Sequence, residues 1–345
     1  MKVSEMEWAN VDVLDEYLLH VIAAFPRKRK PAFLYAIVTG KRTGQAVQDS
    51  HLFDVTRFFG CVPMMRQRYF DARLGQLRDA GWIALDEDGV SLLGVPESGF
   101  AERFADLDGF SFQSRTAPFF ERLLLAVQVF SNWKHERKRY LPIVRDEETQ
   151  FVVKQWLGHL LQERTRNEAR TAFYRELAMW LQDAKADLYV PRFSGGDYIG
   201  KTGLQVADEL DMEPWAYYFE WLDGLHKLLA QLERFPMLQK LLPDATRELT
   251  TSAQETLHLL RQGLDTERVM AIRRLKWSTI QDHLVEIAAT VPDFSVGAWI
   301  DEAAVDGVAQ GTWQSLKEIK EAFGELDYFQ IRLALIVKRS GAKCN

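Results

Sequence analysis

RQRYFDARLGQLRDAGWIALDEDGVSLLG, residues 66–94, decides the fold at the N-terminal end of the chain. Phe70, Leu74 and Leu77 recur at helical spacing and predict one apolar face. Gly81 stops that helix, WIAL and VSLL predict two short strands, and DEDG predicts the turn between them. A helix followed by a two-stranded ribbon is how a winged helix ends. Arg68, Ala72 and Gln76 fall opposite the apolar stripe, with Arg66 and Arg73 on its flanks. A helix bound for the major groove needs this layout, small and polar outside with cations at the edges for phosphates. The alternative is a solvated amphipathic helix on an ordinary core.

Charge bears on both readings without closing either. Residues 27–78 hold eleven Lys or Arg against three Asp, a net charge of +8. That leaves −14 on the remainder of a chain whose total is −6. The total gives no general attraction to nucleic acid, so a role there must rest on this local patch. The DNA-contacting candidates are therefore the run Arg27, Lys28, Arg29 and Lys30, then Lys41 and Arg42, and then Arg66, Arg68, Arg73 and Gln76.

Most of the chain reads as helix, with three- and four-residue apolar spacing in 13–24, 66–78, 119–130, 151–161, 216–230, 253–260 and 327–337. Strands do not alternate with helices, which argues against a parallel-sheet enzyme. The expected fold class is mainly α: a multi-domain helix-turn-helix and winged-helix protein with a short β-wing. Pro, Gly and Ser near 95–117 and two prolines near 236–250 suggest boundaries. The expected division is a winged-helix-like domain at 1–110, a helical domain at 111–247 and a helix-turn-helix domain at 248–345.

The last segment carries its own pattern. SAQETLHLLRQG predicts a first helix with Ser252 and Glu255 as a capping box and Gly263 as the stop. Asp265 or Thr266 caps the next helix, a turn follows Arg274, and a third helix begins near Ser278. Ile280, Leu284 and Ile287 predict its buried stripe, while Ser278, Asp282 and Glu286 fall outside. Outward carboxylates repel phosphates, so a protein-binding or intramolecular role is favoured for this module. Arg273, Arg274 and Lys276 are its only clustered cations that favour DNA.

SGGDYIGKTG, 194–203, matches the phosphate-loop pattern G-x-x-x-x-G-K-[ST]. A working loop follows a strand, but Pro191 interrupts the only candidate, and Asp197 would set a carboxylate against phosphates. Thr202 and Gln205 instead predict a capping box opening LQVADEL, the first helix of a third helix-turn-helix-like unit that includes Ala207.

Other chemistry is sparse. Seven histidines show no ligand spacing, no nucleophile has a neighbouring base, and no metal, cofactor or catalytic residue is expected. Cys61 and Cys344 stand alone, which fits a reducing cytoplasm. No apolar run spans a membrane, and the acidic start MKVSEMEWANVDVLDEYLL argues against a secretory signal. The basic run WKHERKRY, 133–140, either holds phosphate beside its aromatics or is the solvated end of a helix.

Taken together, GKRTGQAVQDSHLF at 40–53, RLLLAVQVFSNW with YLPIV at 122–144, IGKTGLQVADEL at 199–210 and the spaced pattern at 263–284 resemble the YpbB-like bacterial helix-turn-helix family. The last module is also similar to one at the C-terminus of some RecQ helicases. The family pattern has Ile-Ala before the final turn and a Gly in it, where this chain has Val269-Met270 and Arg274. The resemblance implies a cytoplasmic, non-enzymatic adaptor in DNA repair or recombination that partners a RecQ-type helicase. A sequence-specific transcription regulator and a nucleotide-binding protein remain the alternatives.

Overall fold

The structure, a computed structural model, describes residues 11–94, 99–137, 139–291 and 294–340. The N-terminal ten residues, Lys138 of the basic run and Cys344 lie outside them. The chain is mainly helical, and the described residues contain one two-stranded sheet. It divides into two compact units, both discontinuous in sequence.

The first unit gathers residues 1–20, 96–108 and 112–243. Its elements are α1 (Val13–Ala23), α5 (Phe100–Arg103), α6 (Gly109–Lys134), α7 (Glu147–Glu163), α8 (Arg166–Asp183), α9 (Gly203–Glu209), α10 (Pro214–Ala230) and α11 (Pro236–Gln239). Its core is aromatic: the rings of Phe130 and Phe173 stack at 4.6 Å, and Tyr17, Phe100, Phe104 and Phe219 pack together at 4.7–5.8 Å. Buried polar groups here are spent on backbone. Arg122 donates to the Leu241 carbonyl at 3.0 Å, and the Glu176 carboxylate accepts from the amides of Met237 and Leu238, capping α11. Such pairing is what makes burial of these charges tolerable.

The second unit gathers residues 21–95, 109–111 and 244–345. It holds α2 (Pro31–Thr39), α3 (Gly44–Leu52), α4 (Gln67–Asp79), β1 (Ile83–Asp86), β2 (Gly89–Leu92), α12 (Thr251–Arg261), α13 (Thr266–Arg273), α14 (Trp277–Thr290), α15 (Glu302–Gln310), α16 (Leu316–Ala322) and α17 (Tyr328–Ser340). Residues 21–95 of the first expected segment thus share one unit with the last, and in it α3 packs against α14 and α17. The break at 243/244 falls inside the proline-bearing stretch 236–250.

Candidate nucleic-acid interface

On α4 the expected stripe is in place. Phe70, Leu74 and Leu77 are buried, Arg66, Arg68, Ala72 and Gln76 are exposed, and Arg73 is half-buried. The following strands pair antiparallel, Leu85 against Val90 and Asp86 against Gly89. Asp86 closes the turn by accepting from the amides of Asp88 at 2.9 Å and Gly89 at 3.2 Å. Gly89 sits at φ 138°, and a Cβ there would lie 2.6 Å from the Arg29 carbonyl oxygen. Only glycine fits that conformation and that approach.

This close approach explains the basic run 27–30. Arg29 exchanges backbone hydrogen bonds with Val90, adding a bridge beside β2. Its guanidinium lies over Phe25, Phe33 and Phe53 at 5.2–5.4 Å and pairs with Asp49 at 3.1 Å. Burial nevertheless raises the Asp49 carboxyl, the Arg29 charge only partly offsetting it. Lys28 pairs with Asp86, raising the amine and lowering the carboxyl, and Lys30 donates to the Glu87 carbonyl. Three of the four cations therefore hold the wing to the helices, and Arg27 is exposed. Lys41 is also exposed.

Arg42 has a different role from the one its sequence context suggests. Its side chain is 5% exposed, and it donates to Thr290 Oγ1 at 2.9 Å and to the Phe110 carbonyl at 2.5 Å. It also pairs with Glu248 and lies 4.0 Å from the Phe110 ring centroid. These partners lie in the second unit, so Arg42 fastens the α2–α3 turn to the C-terminal segment and presents no guanidinium to a phosphate. Nothing local in GKRTG marks it for burial, because its partners lie far along the chain.

The C-terminal helix-turn-helix comprises α12, α13 and α14. Thr250, not Ser252, caps α12 by accepting from Ala253 N at 3.2 Å, and the Glu286 carboxylate accepts in turn from the Thr250 amide and hydroxyl. Ser252 and Glu255 instead receive Arg273, which also donates to Thr256 Oγ1 at 2.6 Å. Arg273 is thus a clamp between α13 and α12. Asp265 caps α13, and Arg274 ends it at φ 51° and ψ 40°. On α14, Ile280, Leu284 and Ile287 are fully buried. Of the expected outer residues, Ser278 and Asp282 are exposed, Asp282 pairing with Arg332 at 2.7 Å. Glu286 departs from that expectation, because its place at the α12 cap half-buries it and burial raises its carboxyl. Arg274 and Lys276 remain exposed, beside Trp277 at the first position of α14. Trp277 did not stand out in the sequence; its signal is a large aromatic where a groove-reading helix needs a slim polar residue.

The phosphate-loop match is built as a turn and a cap. Residues 190–192 form a single 3₁₀ turn, not a strand. The Gly200 amide donates to Ser194 Oγ at 2.8 Å, and the Lys201 amide donates to the Pro191 carbonyl at 2.8 Å. Lys201 Nζ pairs with Glu209, and Arg137 of the basic run pairs with Asp197. Thr202 and Gln205 complete the capping box of α9, and Asp211 at φ 52° turns the chain into α10 with Ala207 buried. The Gly200 and Lys201 amides are thus bonded to the preceding turn, and the lysine ammonium is paired with a carboxylate of α9. Among the described residues no group of three or more His, Cys, Asp or Glu could hold a metal ion, and no helix is long and apolar enough to cross a membrane.

Comparison with known proteins agrees with this architecture. A family described as a helix-turn-helix domain matches residues 252–335, the span from α12 to α17. The chain is 26% identical over 343 residues to Protein YpbB of Bacillus subtilis (strain 168), a match covering 94% of this chain and 97% of that protein. No solved structure matches the chain. The chain is thus similar to that protein over nearly its whole length, and its C-terminal end matches a helix-turn-helix domain.

Proposed function

We propose that the protein is a non-enzymatic, cytoplasmic DNA-binding accessory factor of DNA repair or recombination. The observation that carries the DNA half is the outer face of α4. Arg66 and Arg68 stand exposed there beside Ala72 and Gln76, and neither arginine has an ion-pair partner among the described residues. Phosphate contacts need such uncommitted cations at the edges of an inserted helix. The helix-turn-helix match at 252–335 supports the same reading. The partner half, a RecQ-type helicase, rests on the resemblance to the YpbB-like family.

A salt series of duplex binding tests the DNA half. Each lost phosphate contact lowers the slope of log affinity against log salt by about 1, so Arg66→Ala with Arg68→Ala flattens it by about 2. An unchanged slope removes α4 from the interface. Selection from random duplexes then distinguishes an accessory factor, which enriches no sequence, from an operator-reading regulator. Capture of the tagged full chain from its own cells tests the helicase half.

A further inference from the structure

The N-terminal ends of α14 and α17 lie together. Trp277 and Phe329 rings pack edge-on at 5.7 Å, and Asp282 and Arg332 pair at 2.7 Å. The two contacts follow in the same order along both helices, so the helices run in the same direction and their first residues share one end. Those first residues are Trp277, 37% exposed, and Tyr328, 52% exposed. Ile272, 57% exposed, lies in the last turn of α13, ahead of Trp277 in the chain. Arg274 and Lys276 are exposed between Ile272 and Trp277, without ion-pair partners among the described residues. The carboxylates of Asp282, on α14, and Asp327, just before α17, are occupied, Asp282 by Arg332 and Asp327 by the Gln330 amide that it caps at 2.8 Å.

A soluble surface does not ordinarily expose an indole, a phenol and an isoleucine around two bare cations. Duplex DNA has little use for them, because its bases present only edges and a groove reader must be slim and polar. An unstacked base has an apolar face, and single strands are held by aromatic platforms alternating with cations. We propose that Trp277 and Tyr328, flanked by Arg274 and Lys276, form a site for single-stranded DNA, separate from the α4 face. The proposal rests on the reading that this protein binds DNA and names the form of DNA that the C-terminal module takes. Trp277 offers its ring to a base, Arg274 and Lys276 meet the phosphates on either side, and Ile272 shields the stack from water. Binding here carries no base preference beyond stacking strength.

The test uses the full chain at low salt with two labelled probes, an oligothymidylate of about 20 nucleotides and a duplex of the same length. Trp277→Ala weakens the oligothymidylate complex about tenfold, as expected for one lost base stack, while Trp277→Phe retains most of the affinity. Arg274→Ala with Lys276→Ala weakens it further and lowers its salt slope, and none of these changes alters duplex binding. Arg66→Ala with Arg68→Ala gives the reverse pattern. Duplex binding without oligothymidylate binding overturns this site and leaves the DNA reading standing. Binding of neither probe overturns both, and the patch is then a protein-docking surface. Oligothymidylate binding unchanged in Trp277→Ala, or lost equally in Trp277→Phe, also overturns it.

Discussion

Arg42 and Glu248, 206 positions apart in the chain, meet as an ion pair with 3.4 Å between Nη2 and Oε2. Their side chains are 5% and 2% exposed, so water screens neither. Removing one partner leaves the other charge buried, which costs about 3–5 kcal/mol, whereas removing both together costs less than the sum. Arg42→Ala should therefore lower the urea stability of the protein by roughly that amount, with Arg42→Met plus Glu248→Gln recovering part of it. A loss below about 1 kcal/mol would show that the pair behaves as a surface bridge.

Arg274 holds φ 51° in the turn before α14, a left-handed conformation that costs a side-chain-bearing residue about 1 kcal/mol. Its side chain is exposed, and its turn bond runs through backbone, from Leu275 N to the Met270 carbonyl at 3.2 Å. Arg274→Gly should thus keep the fold and raise the melting midpoint, the relief of strain exceeding the entropy that glycine adds to the unfolded chain. A lower midpoint would mean that the arginine contributes contacts that outweigh its strain.

These two arginines show how far the sequence reaches. Local pattern suffices for α4, the hairpin, the α9 cap and the α14 stripe, because each depends on spacing within about 15 residues. It also suffices to mark Arg66 and Arg68 as outward cations. It fails for Arg29, Arg42 and Arg273, which look alike as exposed basic residues. Each is committed by partners distant in the chain: Asp49, Glu248 and the α12 residues Ser252, Glu255 and Thr256. No periodicity records such pairings, so a basic segment overstates the charge that the folded surface offers. The same blindness hides the shared unit of residues 21–95 and 244–345, since nothing local in α3 announces the distant helices α14 and α17 it packs against.

Thr202 accepts from Gln205 N at 3.3 Å, while Gln205 Oε1 accepts from Thr202 N at 2.8 Å. Thr202→Ala removes half of this box and should cost about 1 kcal/mol, read as a fall in thermal midpoint. Neither this change nor Lys201→Ala should alter nucleotide binding, since turn and cap chemistry accounts for both side chains. Magnesium-dependent ATP binding that either change abolishes would restore the phosphate-loop reading.

His226 gives the first unit an acid sensitivity that a neighbour on α10 conceals. Its ring is fully enclosed, and burial lowers its pKa from 6.5 to about 3. Nδ1 accepts from the Asp108 amide at 2.9 Å, so the neutral ring carries its proton on Nε2 and donates it to Thr116 Oγ1 at 3.2 Å. The unfolded histidine takes up a proton below pH 6.5 and the folded one does not. Stability from this ring is therefore complete above that pH and is lost toward pH 3, by at most about 1.4 kcal/mol per pH unit. Asp223 works in the opposite sense. Burial raises its carboxyl from 3.8 to about 6 despite the amide of Asp106 that it accepts at 2.9 Å. The folded carboxyl thus gains its proton first, and stability rises as pH falls from about 6 to 3.8. The parent protein should consequently show a shallow stability curve between pH 6 and 4, the two slopes opposing each other. His226→Asn should be less stable at pH 7 yet gain stability on acidification, and Asp223→Asn should show the steep acid loss unopposed. Urea unfolding of the three proteins across this range checks the signs, and parallel curves for parent and His226→Asn would show that the ring titrates alike in both states.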